Sequence, residues 1–68
     1  MNEWYYFTFG VGQPHAGKFV KIRGTFEESR QKMFDKYGDR WAFQYSEVEW
    51  RRYKSIHVDT ETLLEVIE

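Results

Sequence analysis

A glycine-rich segment comes closest to a known nucleotide-binding motif. Residues Gly12 to Lys18 read GQPHAGK, which matches the first seven positions of the phosphate-binding loop G-x-x-x-x-G-K-[ST]. The next residue is Phe19, so the hydroxyl that would bind Mg²⁺ is missing, and the lysine opens a predicted strand instead of a helix. We therefore expect no nucleotide hydrolysis, although consecutive backbone N–H groups of this loop could bind an anion. The candidate binding residues of the loop are Gly12, Gln13, His15 and Gly17.

The chain has few residues that could bind a metal or act in catalysis. His15 and His57 are its two imidazoles, and it has no cysteine. A zinc site needs three or four ligands, and neither histidine has a carboxylate or thiol at ligand spacing. Most acidic residues lie beside basic ones on a predicted helix, where surface ion pairing accounts for them. The sequence therefore predicts no metal site, no cofactor and no catalytic site, and we expect the protein not to be an enzyme.

A second group of candidate residues lies on two predicted neighbouring strands. If Tyr5, Phe7 and Phe9 face a helix, the alternating residues point to the other side of the sheet. Aromatic rings beside cations on an open sheet are typical of a platform that stacks bases. The same face would also suit a sheet-on-sheet dimer, a partner protein, or a cover formed by the chain's own C-terminal helix. The candidate residues on this face are Trp4, Tyr6, Phe19, Lys21 and Arg23.

The elements that position these candidates are a hairpin and a helix. A strand from Trp4 to Phe9 and a second from Lys18 to Arg23, with period-2 alternation, should pair antiparallel across the loop. Thr25 and Glu28 form a predicted capping box that opens a helix ending at Gly38. The residues at helical spacing within it are Phe26, Arg30, Met33, Phe34 and Tyr37.

The remainder of the chain is predicted as a third strand and a helical tail. The alternation from Arg40 to Tyr45 indicates a strand whose aromatic residues, Trp41, Phe43 and Tyr45, pack beneath the helix. Ser46 and Glu49 then cap a short helix through Trp50 and Tyr53. Ile56 and Val58 would also fit a strand. Asp59 is placed to cap a last helix with Leu63, Leu64 and Ile67 on one face.

We therefore predict an α+β fold: a small three-stranded antiparallel sheet, in the order ββαβ, packed on one helix and followed by a short helical tail. Residues 1–68 are expected to form one domain, with its core at 3–45 and the tail at 46–68. A net charge of −1 argues against a broadly basic nucleic-acid binder. No apolar run reaches the roughly 20 residues that a membrane span needs. A cytoplasmic protein that does not bind membranes is therefore expected.

Aromatic residues make up 21% of the 68 residues, which is more than one small core readily buries. Part of this surface should therefore contact another molecule. The chain also resembles small proteins of phages and prophages from Gram-positive, low-GC bacteria. This resemblance covers residues 5–50 and is specific in Y-F-T-F-G-x-G-Q, H-A-G and R-Q-K-M-F-x-K-Y-G-D-x-W-A-F-Q-Y. It implies no catalytic residue.

Phage accessory proteins of this size often bind and disable a host factor, frequently one of a defence system. Together with the aromatic excess, the resemblance favours a non-enzymatic protein that binds a host protein in the bacterial cytoplasm, through the Gly10 to Gly17 loop and the aromatic sheet face. One alternative is a module that binds single-stranded nucleic acid or a nucleotide, in which Tyr6 and Phe19 stack bases. The other is a homodimeric structural or assembly protein.

Overall fold

The predicted hairpin is present in a computed structural model that describes residues 3–56 and 62–68. Strand β1 (Glu3–Thr8) pairs antiparallel with β2 (Lys18–Gly24), and Phe7 lies opposite Val20. Because side chains alternate along a strand, the odd residues of β1 and the even residues of β2 share one face. Phe7, Val20 and Ile22 are fully buried there, which confirms the apolar face predicted for the hairpin.

Helix α1 (Phe26–Tyr37) covers that apolar face and has the predicted ends. The backbone N–H of Glu28 donates to the Thr25 hydroxyl (3.1 Å), and the Thr25 N–H donates to the Glu28 carboxylate (3.0 Å). Gly38 ends the helix with a φ of 63°, and its N–H donates to the Phe34 carbonyl. The core between helix and sheet contains Tyr5, Phe7, Phe9, Val20, Ile22 and Met33.

The third strand is shorter than predicted, and its aromatic residues face the other way. Strand β3 (Phe43–Tyr45) pairs antiparallel with β1 and sets Gln44 opposite Phe7, so Gln44 faces α1. Phe43 and Tyr45 lie on the opposite side of the sheet, so the prediction that they pack beneath the helix is wrong. The alternation begins only at Phe43, because Trp41 belongs to the preceding loop, from which it packs edge-on against Phe7 (5.1 Å between ring centroids).

The region after Tyr45 contains one predicted helix and one strand that was predicted as a helix. Helix α2 (Glu47–Ile56) follows the predicted capping box of Ser46 and Glu49. The predicted last helix is instead strand β4 (Thr62–Ile67), which pairs parallel with β2. Ile56, for which a strand was the alternative, is the last residue of α2. Val58 and the predicted cap at Asp59 lie outside the described residues.

The described strands therefore form a four-stranded mixed sheet in the order β3-β1-β2-β4, where a three-stranded antiparallel sheet was predicted. The α+β class is confirmed. The difference has a physical cause. A three-stranded sheet would leave the backbone groups of β2 unpaired along one edge, and Thr62, Val66 and Ile67 are β-branched residues that suit a strand on that edge.

Candidate functional site

The glycine-rich loop between β1 and β2 is braced by its own hydrogen bonds. The Gln13 N–H donates to the Gly10 carbonyl (3.0 Å), and the Ala16 N–H donates to the Gln13 carbonyl (3.1 Å). The Gln13 side-chain oxygen also accepts a hydrogen bond from the Gly10 N–H. Gly12 and Gly17 have φ values of 89° and 85°, which residues other than glycine rarely adopt. Gln13 and both glycines therefore have a clear part in shaping the loop.

The predicted loop histidine is held by two aromatic rings. His15 contacts Phe9 and Tyr37 edge-on, at 5.2 and 5.5 Å between ring centroids. The Tyr37 hydroxyl donates to the Glu65 carboxylate, which also accepts a hydrogen bond from the Lys36 ammonium (2.7 Å). This group of side chains joins the loop, α1 and β4.

The electrostatics of this group fit a structural role. Burial and the hydrogen bond to Glu65 raise the pKa of Tyr37, so its hydroxyl stays protonated at neutral pH. Hydrogen bonds from Lys36 and Tyr37 lower the pKa of Glu65, so its carboxylate is ionised and already occupied. A catalytic acid or base would need a pKa closer to neutral and a proton accessible to substrate.

The aromatic sheet face opposite α1 is partly covered by α2. The Trp50 ring lies parallel to that of Tyr6, with 4.9 Å between their centroids, and 4.8 Å from the Phe19 ring. Trp50 and Tyr6 are both buried, at 6% and 7% exposure. Tyr6 and Phe19 therefore have an intramolecular cover, which was one of the predicted alternatives for this face. The covering helix is α2 and not the C-terminal segment.

The remaining candidates of that face stay nearer the solvent. Trp4 and Lys21 are partly buried and Arg23 is exposed. The Lys21 ammonium lies 4.5 Å from the centre of the Trp4 ring, and the Arg23 guanidinium carbon lies 5.7 Å from it. The face therefore divides into a covered aromatic part and an accessible part where two cations lie over one ring.

A separate aromatic groove, which was not predicted, lies between α1 and β3. Phe26, Arg30 and Phe34 are spaced by four residues, so they form one row along the helix. Trp41 and Gln44 line the opposite wall, Phe43 borders the groove at the edge of the sheet, and the groove has a volume of about 380 Å³. Phe26 and Phe43 are 51% and 62% exposed, far more than core aromatic residues. We call this site the α1–β3 groove.

Arg30 and Trp41 of the α1–β3 groove are held in place by contacts within the chain. The Arg30 guanidinium lies 5.3 Å from the Phe34 ring and 5.1 Å from the Trp41 ring, and it donates to the Gln44 side-chain oxygen (3.3 Å). The Trp41 indole N–H donates to the Gly38 carbonyl (3.0 Å). An arginine that is stacked and hydrogen-bonded loses little side-chain entropy when a ligand binds. The groove is therefore largely preorganised.

Strand β3 extends the exposed surface beyond the groove. It lies at an edge of the described sheet and pairs only with β1 there, so one side of its backbone has no strand neighbour. A second groove, of about 390 Å³, lies on the other side of Phe43. Its lining includes Gly10, Val11 and Gly17 of the predicted binding loop. Phe43 therefore stands between the α1–β3 groove and the glycine-rich loop.

Sequence reasoning missed the α1–β3 groove because it assigned the whole helical pattern of α1 to the core. The helix buries Ser29 and Met33, and Phe26 and Phe34 lie at the margin of that contact. The signal in the sequence was the width of the apolar arc of α1, which is wider than the face that one helix can bury against a small sheet.

Within residues 3–56 and 62–68, no group of three or more metal-ligating side chains comes together. In the same part of the chain, no helix has both the length and the apolar character to cross a bilayer. A comparison of the chain with protein-family models, curated proteins and solved structures finds no match.

Proposed function

We propose that this chain is a small non-enzymatic protein-binding module and that the α1–β3 groove is its binding site. The observation that carries the proposal is a groove that exposes Phe26 and Phe34 beside Arg30, which is held over Trp41, and that Phe43 borders at an edge of the described sheet. Aromatic residues and arginine are the residue types that dominate the binding energy of protein interfaces. Exposed aromatic side chains grouped around a groove are a feature of interaction sites.

The groove supports a protein partner better than a nucleic acid. A base-stacking platform needs accessible rings, and Trp50 covers Tyr6 and Phe19, on which the nucleic-acid alternative depends. Strong binding to phosphates also needs several cations, and the α1–β3 groove contains Arg30 as its one basic residue among the lining side chains. The resemblance to phage proteins makes a bacterial host protein, such as a defence factor, the partner that we propose.

The experiment is affinity capture from a lysate of the host bacterium, with and without nuclease, using the wild type, Phe43→Asp and Val48→Asp. Val48 is the matched control because it is 63% exposed, against 62% for Phe43, and does not line the groove. Full burial of a phenylalanine side chain contributes about 1.5–3 kcal/mol. A partner would bury the part of Phe43 that is exposed in the free protein, so Phe43→Asp should weaken binding about tenfold.

The proposal predicts that one stoichiometric host protein survives nuclease treatment, is lost with Phe43→Asp and is retained with Val48→Asp. Capture that vanishes with nuclease would favour the nucleic-acid alternative. Sedimentation of the purified wild type as a dimer, with Phe43→Asp as a monomer, would instead favour the homodimer.

A further inference from the structure

The accessible part of the sheet face opposite α1 has its own charge pattern. Trp4 lies opposite Arg23 in the β1–β2 register, and Lys21 lies diagonally across from Trp4. The Lys21 ammonium is also 5.7 Å from the Tyr6 ring, so it is held over two aromatic residues. Cation–π contacts hold both cations at the surface while leaving their N–H donors available to a ligand.

An apolar strip lies directly beside these cations. Val66 of β4 pairs with Lys21, and Leu63 pairs with Phe19, so both lie on the same face of the sheet. They are 48% and 47% exposed. Helix α2 leaves them uncovered because its Trp50 packs on Tyr6 and Phe19 and not over β4.

The acidic residues of the described strands lie on the other face of the sheet. Glu3 alternates with Trp4 and accepts a hydrogen bond from Tyr5 on the α1 side. Glu65 is bound by Lys36 and Tyr37, also on that side. Within residues 3–56 and 62–68, no carboxylate comes within ion-pairing distance of Lys21 or Arg23. Lys21 and Arg23 are therefore not engaged in an ion pair with the described residues, although Glu47 of α2 lies close enough to Tyr6 to act on its pKa.

We propose that this face is a second binding surface, for an acidic protein segment that also carries apolar side chains. Its carboxylates would pair with Lys21 and Arg23, and its apolar side chains would cover Leu63 and Val66. A nucleic acid fits less well, because the cations already occupy the face of the Trp4 ring that a base would need. The surface lies on the opposite side of the sheet from α1, so this proposal does not depend on the function of the α1–β3 groove.

The test is a titration of ¹⁵N-labelled protein, followed by amide NMR shifts, with three probes. The first is a short peptide alternating Glu with Leu, the second is the same peptide with Gln for every Glu, and the third is oligothymidylate. We expect the acidic peptide alone to bind, with shifts centred on Trp4, Lys21, Arg23, Leu63 and Val66, and with affinity that falls as salt is added.

Four variants complete the test. Lys21→Glu should weaken the acidic peptide at least about tenfold, while Arg40→Glu, which makes the same charge change in the loop after α1, should leave its affinity within about twofold. Lys21→Gln is the milder variant if Lys21→Glu disturbs the fold. Phe26→Asp, which alters the groove from α1 on the other face of the sheet, should bind the peptide normally, which separates this surface from the groove. Equal binding of the Gln peptide, preference for oligothymidylate, or no shifts at these residues at millimolar peptide would overturn the proposal.

Discussion

Trp50→Ala removes the side chain through which α2 covers the sheet. The Trp50 ring contacts four other aromatic rings, at centroid distances between 4.8 and 5.7 Å, and 6% of the residue is exposed. Replacement by alanine would leave a cavity over Tyr6 and Phe19 and would free α2 from its main apolar contact.

The expected loss is large for a protein of this size. Truncation of a buried tryptophan to alanine lowers the free energy of unfolding by about 3–5 kcal/mol. At roughly 0.05–0.15 kcal/mol per residue, a 68-residue protein has about 3–10 kcal/mol in total. Trp50→Ala should therefore lose a large part of the protein's stability, and Trp50→Phe, which keeps a ring over Tyr6, should lose less than half as much.

Urea unfolding followed by far-UV circular dichroism measures these differences. Val48→Ala is the control on the same helix, because its side chain is mostly exposed and its loss should stay within about 0.5 kcal/mol. A Trp50→Ala loss below about 1 kcal/mol would refute the packing described here. It would mean that α2 does not cover Tyr6 and Phe19. Both rings would then be accessible to bases, as the nucleic-acid alternative requires.

The other predictions concern the ends of α1 and the tie between α1 and β4. Thr25→Ala should lower the free energy of unfolding by about 1 kcal/mol in the same urea assay, because it removes the capping hydroxyl. Gly38→Ala should also lose about 1 kcal/mol, because φ is 63° at this position, and an unchanged midpoint would contradict that helix end. Hydrogen bonds from Lys36 and Tyr37 hold the pKa of Glu65 below its ordinary value of 4.5. The stabilising effect of Glu65 is therefore full above that pH and lost as the pH falls through the lower folded value. The stability difference between wild type and Glu65→Gln should be present at neutral pH and shrink in acid, and a difference independent of pH would argue against the tie.

The hairpin and α1 could be predicted because their signals are local. Alternation in β2 and the capping box at Thr25 each specify an element without reference to the rest of the chain. The segment Thr62–Ile67 is different, since its apolar residues fit one helix face and also a strand. The open edge of β2 decides between them, and that edge lies more than 40 positions earlier in the chain.

The candidate site was predictable only in part for a similar reason. Trp50 and Tyr53 were placed on a helix, but the path of the chain determines which face of the sheet they cover. Helical periodicity grouped Phe26 and Phe34 with Met33. The small width of the sheet determines that only Met33 is buried and that the two phenylalanines stay exposed. Such surfaces depend on how helices and strands pack against one another, and a local sequence pattern does not specify that packing.

Site-specific photo-crosslinking in the host cell tests whether the α1–β3 groove contacts a protein. Phe43 is replaced by benzoylphenylalanine in one strain and Val48 in another, since these two positions are almost equally exposed. We expect an adduct with one host protein from position 43 and none from position 48. The same adducts from both positions, or only nucleic-acid adducts from position 43, would contradict it.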